Sequence, residues 1–312
     1  MQKINLGNTS LNRIIEFSKK HMLAVLGKRS IYILEYSQSF KVIRHFLDED
    51  PNENFLCGVF YLEDKKVKLA VSGESGIIKL LDITEYEIKG YLKGHGGIVT
   101  DLKVHPQMSG IIFSSSEDTT IRMWDVREQR CLAIFGGYIG HRDYVLSIDI
   151  SLCGKRIVSA GTDCVIKVWN IPEKKEALQI IYFPTYSSSK IQKSYITCVK
   201  FFGLLIISKS LSNRISIICP ETKTTIYKST INSDSFFISD FRHKNKFKDK
   251  FDLKGNRMAI ATTEKEVLLF KLNPLEETLD GKKKVFEHDI KDVILTNENV
   301  FILESDSSVT QL

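Results

Sequence analysis

The 312-residue chain lacks any run approaching about 18 consecutive apolar residues, the length a helix needs to span a bilayer. Its opening, Met1-Gln2-Lys3-Ile4-Asn5-Leu6-Gly7, holds no hydrophobic signal core, and no membrane partner is expected. Cysteine is sparse. The six residues (Cys57, Cys131, Cys153, Cys164, Cys198, Cys219) form no CxxC pair and keep no regular spacing. Several sit in apolar runs, as in Thr197-Cys198-Val199, which predicts buried free thiols in a reducing compartment. No Cys/His quartet has ligand spacing, so no metal site is expected. Also missing are the GxxxxGK[ST] phosphate loop, the GxSxG elbow and HExxH. Carboxylates are plentiful, yet none forms a recognisable acid–base pair. These absences argue against an enzyme and give no sign of a cofactor. With 44 basic and 38 acidic residues the net charge is +6, a mild excess that reads as solvated surface.

What is present is a repeat. Gly94-His95 to Trp124-Asp125 and Gly140-His141 to Trp169-Asn170 carry the same markers in the same order. His95 and His141 stand 46 residues apart, Asp118 and Asp163 45, Trp124 and Trp169 45. That is the signature of a WD-repeat β-propeller, in which each repeat supplies one four-stranded blade. Trp can only donate, His relays and Asp accepts, so His95, Ser114, Asp118 and Trp124 can form one buried hydrogen-bonded chain. His141, Ser159, Asp163 and Trp169 form the second such tetrad. Both sets are therefore read as structural, with no catalytic role for either histidine. Seven blades of about 40–45 residues account for the whole chain, as one domain over residues 1–312.

In order, blade one is expected at 11–48 and blade two at 54–92, where Gly76–Asp82 repeats the Thr119–Asp125 strand with Leu81 in place of Trp. Blades three and four are the repeat pair. Blade five, at 194–228, follows a serine-rich connection at Tyr182–Lys193. Blade six, at 235–287, is expected to open with a strand at Phe236–Phe241, followed by an inserted basic loop, residues 242–250. Blade seven is 288–312, completed by a strand from residues 1–8 that closes the ring and covers a sheet edge. The fold class is all-β, a seven-bladed WD-repeat β-propeller closed by its N-terminal strand.

Residues 132–143, Leu132-Ala-Ile-Phe-Gly-Gly-Tyr-Ile-Gly-His-Arg-Asp143, go beyond what a generic WD repeat needs. With Glu53-Asn54-Phe55, Gly94-His95-Gly96, His105-Pro106, Tyr182-Phe183-Pro184 and Leu205–Ser210, the chain resembles the ESC/EED/FIE family, the WD-repeat subunit of Polycomb repressive complex two. The resemblance is close over about 50–210 and thinner elsewhere. It implies a non-catalytic nuclear scaffold. One face would hold a helix of a SET-domain histone methyltransferase subunit. The other would read trimethyl-lysine on a histone H3 tail through an aromatic cage, by cation–π attraction. The family's aromatic pair falls on Phe236 and Phe237, and its cage tyrosine on Leu56. A further wall falls near Asn12-Arg13, where neither residue is aromatic. Tyr144 and Tyr195, opening the inner strands of blades four and five, are further cage candidates. The basic loop 242–250 offers weak, sequence-blind DNA contact. A competing reading is a substrate receptor of a cullin–RING ubiquitin ligase, from the Trp124-Asp125-Val126-Arg127 box.

Overall fold

The computed structural model describes residues 2–7, 10–37, 39–212, 214–221, 224–230, 250–261, 265–272 and 279–312, with backbone alone for 224–230 and 279–281. These residues form seven antiparallel sheets of four strands, the third extended by a fifth. The innermost strands are Leu11–Phe17, Phe55–Glu63, Val99–Val104, Val145–Ile150, Ile196–Phe202, Phe251–Lys254 and Ile290–Leu295. Gln2–Asn5 pairs antiparallel with Ser308–Gln311 as the outer strand of blade seven, so the two ends of the chain share one sheet.

The ring is held by seven apolar clusters, one between each pair of neighbouring blades. Strand alternation explains this. Side chains at i and i+1 leave opposite faces of a sheet, and each blade is sandwiched on both faces. In blade three, Ile111 and Phe113 pack against Val145 and Ile148 of blade four, whereas Ile112 between them packs against Leu80 of blade two. Trp124 points toward blade two and Trp169 toward blade three, both almost fully buried. The last junction joins Val309 and Phe301 of blade seven to Leu11 and Leu23 of blade one.

Two stretches depart from the sequence expectation. Blade six opens at Phe251–Lys254, after the insertion, and Phe236–Phe241 lies outside the described residues. The connection expected at Tyr182–Lys193 in fact contains strand. Tyr186–Ser188, within it, is the outer strand of blade four, and just before it Gln179–Ile181 runs parallel to Arg130–Phe135 at the edge of blade three. Polar serines hide this strand from a pattern search, because an outer strand has little apolar surface to bury.

Candidate functional site: the channel mouth

Each blade enters the channel the same way. In six blades the pairing of the innermost strand shifts by one residue after its first pair, at Leu11/Arg13, Phe55/Cys57, Val99/Asp101, Val145/Ser147, Ile196/Cys198 and Ile290/Asp292. A bulge of this kind re-aims the residues around it. Five of the residues that follow these bulges meet a counterpart from another blade. Arg13 Nε lies 3.3 Å from Asp292 Oδ2, and Ser147 Oγ lies 3.4 Å from Asp101 Oδ2 and 4.0 Å from Cys198 Sγ. Lys250 of blade six reaches Asp101 of blade three at 3.2 Å. Those blades are not neighbours, so the pair reaches across the channel.

Lys250 corrects one expectation outright. Counted in the basic loop expected to contact DNA, it is buried, and it also donates to the carbonyl of Thr100 at 3.3 Å. Residues 242–249 lie outside the described residues. Burial depresses the Lys250 ammonium to about 8, although Asp101 pulls the other way. Burial alone would raise Asp101, but Lys103, Lys250 and Arg13 outweigh it and hold this carboxylate far below its usual range. Cys57, fully buried in the same ring, is pushed up to about 12 by burial, which makes its thiol unreactive.

The two tetrads assemble above this ring. In blade three, His95 Nδ1 lies 2.7 Å from Asp118 Oδ2, and His95 Nε2 lies 2.6 Å from Ser114 Oγ. Trp124 Nε1 donates to the same hydroxyl at 2.7 Å. Blade four repeats this with His141 at 2.7 Å from both Asp163 and Ser159, and Trp169 at 2.9 Å from Ser159. Burial lowers the His95 pKa, so a neutral ring donates through Nδ1 and accepts at Nε2. Every lone pair and proton of the imidazole is then committed to the blade.

Two other blades bury different polar groups, and the sequence reading missed both. In blade two, the Lys79 ammonium sits 2.6 Å from Asp48 and 3.1 Å from Glu53, over the Phe55 ring. In blade five, Gln192 Nε2 donates to Ser208 Oγ at 3.2 Å and Ser216 Oγ at 3.3 Å. Ser208 holds the register of Ser114 and Ser159, opposite Val199 as they stand opposite Leu102 and Ile148. That serine is the signal that would have found Gln192, which precedes it by 16 residues as His141 precedes Ser159 by 18.

Among the described residues, the cage candidates fall at two kinds of place. Tyr144 and Tyr195 hold equivalent places just ahead of the innermost strand, their carbonyls accepting the amides of Thr162 at 3.0 Å and Leu211 at 2.8 Å. Tyr195 is exposed and Tyr144 half-buried. The same place is Asn54 in blade two and Asp289 in blade seven. Leu56 sits two residues deeper, on the bulge, and is half-buried; Asn12 is its counterpart in blade one. Asn12 Nδ2 donates to Asn54 Oδ1 at 2.6 Å and to the Phe55 carbonyl at 3.1 Å. The mouth is thus aromatic toward blades four and five and amide-lined toward blades one and two. Phe236 and Phe237 lie outside the described residues. Twelve residues lie between Phe237 and Lys250 in the sequence, and the innermost strand of blade six begins at Phe251.

Among known proteins, residues 86–125 and 129–170 match the family described as WD domain, G-beta repeat. The Polycomb protein esc of Drosophila melanogaster is 32% identical over 238 residues, covering 69% of this chain and 56% of its own length. The chain spans about half the length of the first curated relatives it matches. A chain of the Chaetomium thermophilum Polycomb Repressive Complex 2 bound to GSK126 superposes with a TM-score of 0.81 at 17% identity, over 99% of this chain and 97% of that one. A chain of ctPRC2 in complex with H3K27me3 and H3K27M gives 0.69 at 23% identity, over 87% and 68%. At such identities the superpositions establish the shared fold.

Proposed function

Because the chain belongs to the ESC/EED/FIE family, we propose that it is a non-catalytic nuclear scaffold of a Polycomb-type histone H3 lysine methyltransferase complex, docking the SET-domain catalytic subunit. The observation that carries this reading is the fate of the polar residues. The His, Ser and Asp sets of defined spacing are consumed within blades three and four, and Lys250 and Asp101 pair with each other across the channel. What remains for function is surface: two faces on a rigid ring.

The mouth bears on histone recognition. One structural neighbour is a complex with H3K27me3. In this chain Tyr144, Tyr195, Phe236 and Phe237 are the aromatic candidates, while Asn12 and Leu56 supply no ring. Cation–π attraction scales with the number of aromatic faces around the cation. Trimethyl-lysine binding is therefore weaker here than in a full cage, and scaffolding is the primary role. The cullin–RING alternative gains nothing from the geometry. Asp125 accepts the turn amides of Arg127 at 2.8 Å and Glu128 at 3.1 Å and pairs with Lys174, and Arg127 pairs with Asp64 at 3.1 Å.

Affinity purification of the tagged chain from nuclear extract tests the reading. A SET-domain methyltransferase in stoichiometric amount is the expected result. A cullin adaptor, or neither partner, overturns it. Titration of the purified chain with trimethylated and unmodified H3 peptides then measures the mouth, where a modest preference for the trimethylated form is expected.

A further inference from the structure

One position on the third strand of each blade sets blade four apart. Lys79, Arg122 and Lys167 stand opposite Val71, Ser114 and Ser159, the same register in blades two, three and four. Lys79 has Asp48 and Glu53 as partners, and Arg122 reaches Asp118 at 3.9 Å. Lys167 is just as buried, 6% exposed, yet no carboxylate lies within 4 Å of its ammonium among the described residues. It donates to the Ile139 carbonyl and to Ser187 Oγ, each at 3.0 Å. An ammonium has three N–H groups, so one remains. A buried cation with no carboxylate in contact is costly, and it lies against a cavity of about 350 Å³. Arg142, exposed and stacked over Tyr138 at 5.9 Å, is the second cation of that cavity.

From this geometry we infer that the blade-four cavity binds the carboxylate of an acidic side chain presented by a partner protein. Charge balance selects the ligand. Asp163 lines the same cavity, but its oxygens accept from His141 Nδ1, Arg142 N and Val165 N. Two cations against this one carboxylate leave a single positive charge, which one further carboxylate neutralises; a phosphate dianion overshoots it. Ser189 and the Ser187 hydroxyl, also at the cavity, supply neutral donors. Tyr138 is 87% and Ile139 42% exposed at the rim, so the acidic residue is expected to sit between apolar neighbours. The site stands on blade four alone and does not depend on the scaffold reading.

Titrating the full chain with the peptide acetyl-Gly-Leu-Glu-Phe-Gly-amide, followed by NMR of the lysine side chains, tests the assignment. Its counterparts carry glutamine or phosphoserine in place of the glutamate. The glutamate peptide should shift Lys167 and bind about tenfold more tightly than the glutamine peptide. Arg142→Gln, at an exposed position, should weaken binding about tenfold with an unchanged melting temperature. Lys167→Met should abolish binding if it folds, and Arg142→Gln decides the matter if it does not. Equal binding of the glutamate and glutamine peptides overturns the proposal, as does no binding up to about 10 mM. Preference for the phosphoserine peptide overturns it in favour of a phosphate site.

Discussion

Blades three and four solve with hydrogen bonds what blades two and seven solve with charge. In blade three a neutral histidine links Asp118 to Ser114 and through it to Trp124. In blade two Lys79 lies between Asp48 and Glu53, and in blade seven Glu304 meets Lys3 and accepts from Thr310. Both arrangements satisfy buried polar groups, but they fail under different conditions. A buried network of neutral groups around one carboxylate resists desolvation well. A buried ion pair is costly to half-remove and gives less net stability when intact.

The comparison can be broken most severely at blade seven. Deleting residues 1–7 removes the outer strand and the Lys3–Glu304 pair, and leaves the Ser308–Gln311 edge open. The expected outcome is aggregation, seen by light scattering; a stable monomer would refute closure by this strand. Next, Trp124→Ala should cost about 3–5 kcal/mol in denaturant unfolding, since it empties a core site and strips Ser114 of its donor. Lys79→Met should cost about 3 kcal/mol, because Glu53 and Asp48 stay buried and unpaired. Replacing Asp48 and Glu53 by leucine as well should recover much of that loss. Recovery would show that charge, and not shape, matters in blade two.

pH sharpens the contrast without mutation. Burial lowers His95 in the folded state, so its contribution is present above the unfolded value of about 6.5 and declines as pH falls below it. For Asp118 burial alone would raise the pKa, but the His95 and Thr120 hydrogen bonds outweigh it and hold the carboxylate low. Its contribution is therefore present above about pH 4 and is lost in stronger acid. Lys79 runs the other way. Burial would lower it, but Asp48 and Glu53 raise it above the usual lysine value. Its contribution is present below about pH 10.4 and is lost as pH rises through the folded value. Amide hydrogen exchange resolved by blade should show blade three loosening first in acid and blade two first in alkali. The same order at both extremes would contradict the assignment. The smallest effect is expected at Tyr195→Ala. This exposed residue should leave stability within about 0.5 kcal/mol while lowering affinity for a methylated H3 peptide.

Much of the ring was legible along the chain. The 45-residue interval places blades three and four, and alternating apolar strands place one, two and five. The two tetrads were legible because their members have unlike chemistries at fixed offsets, which chance seldom repeats. Gln192 was hidden because glutamine is unremarkable in a polar stretch, and its role appears only when Ser208 and Ser216 come to its side chain. Lys79 was hidden because its carboxylates come from a loop 31 and 26 residues earlier. The opening of blade six was misplaced because Phe236–Phe241 and Phe251–Lys254 are both plausible strands. The choice rests on pairing with Arg257–Ala261.

The sequence alone determined the fold class, the number of blades and the residues that stitch two of them, since periodicity and hydrogen-bonding complementarity are local properties of the chain. Tertiary structure decided which residues face one another at the mouth and in the channel. Lys250 meets Asp101 only because ring closure brings residues 149 positions apart into contact, and Lys167 has no carboxylate within 4 Å among the described residues because the Asp163 of its own blade is held by His141 and two backbone amides. Charge in the unfolded chain is always solvated. Whether a charge is paired, plugged or left open to a partner is settled by the low-dielectric surroundings that folding creates.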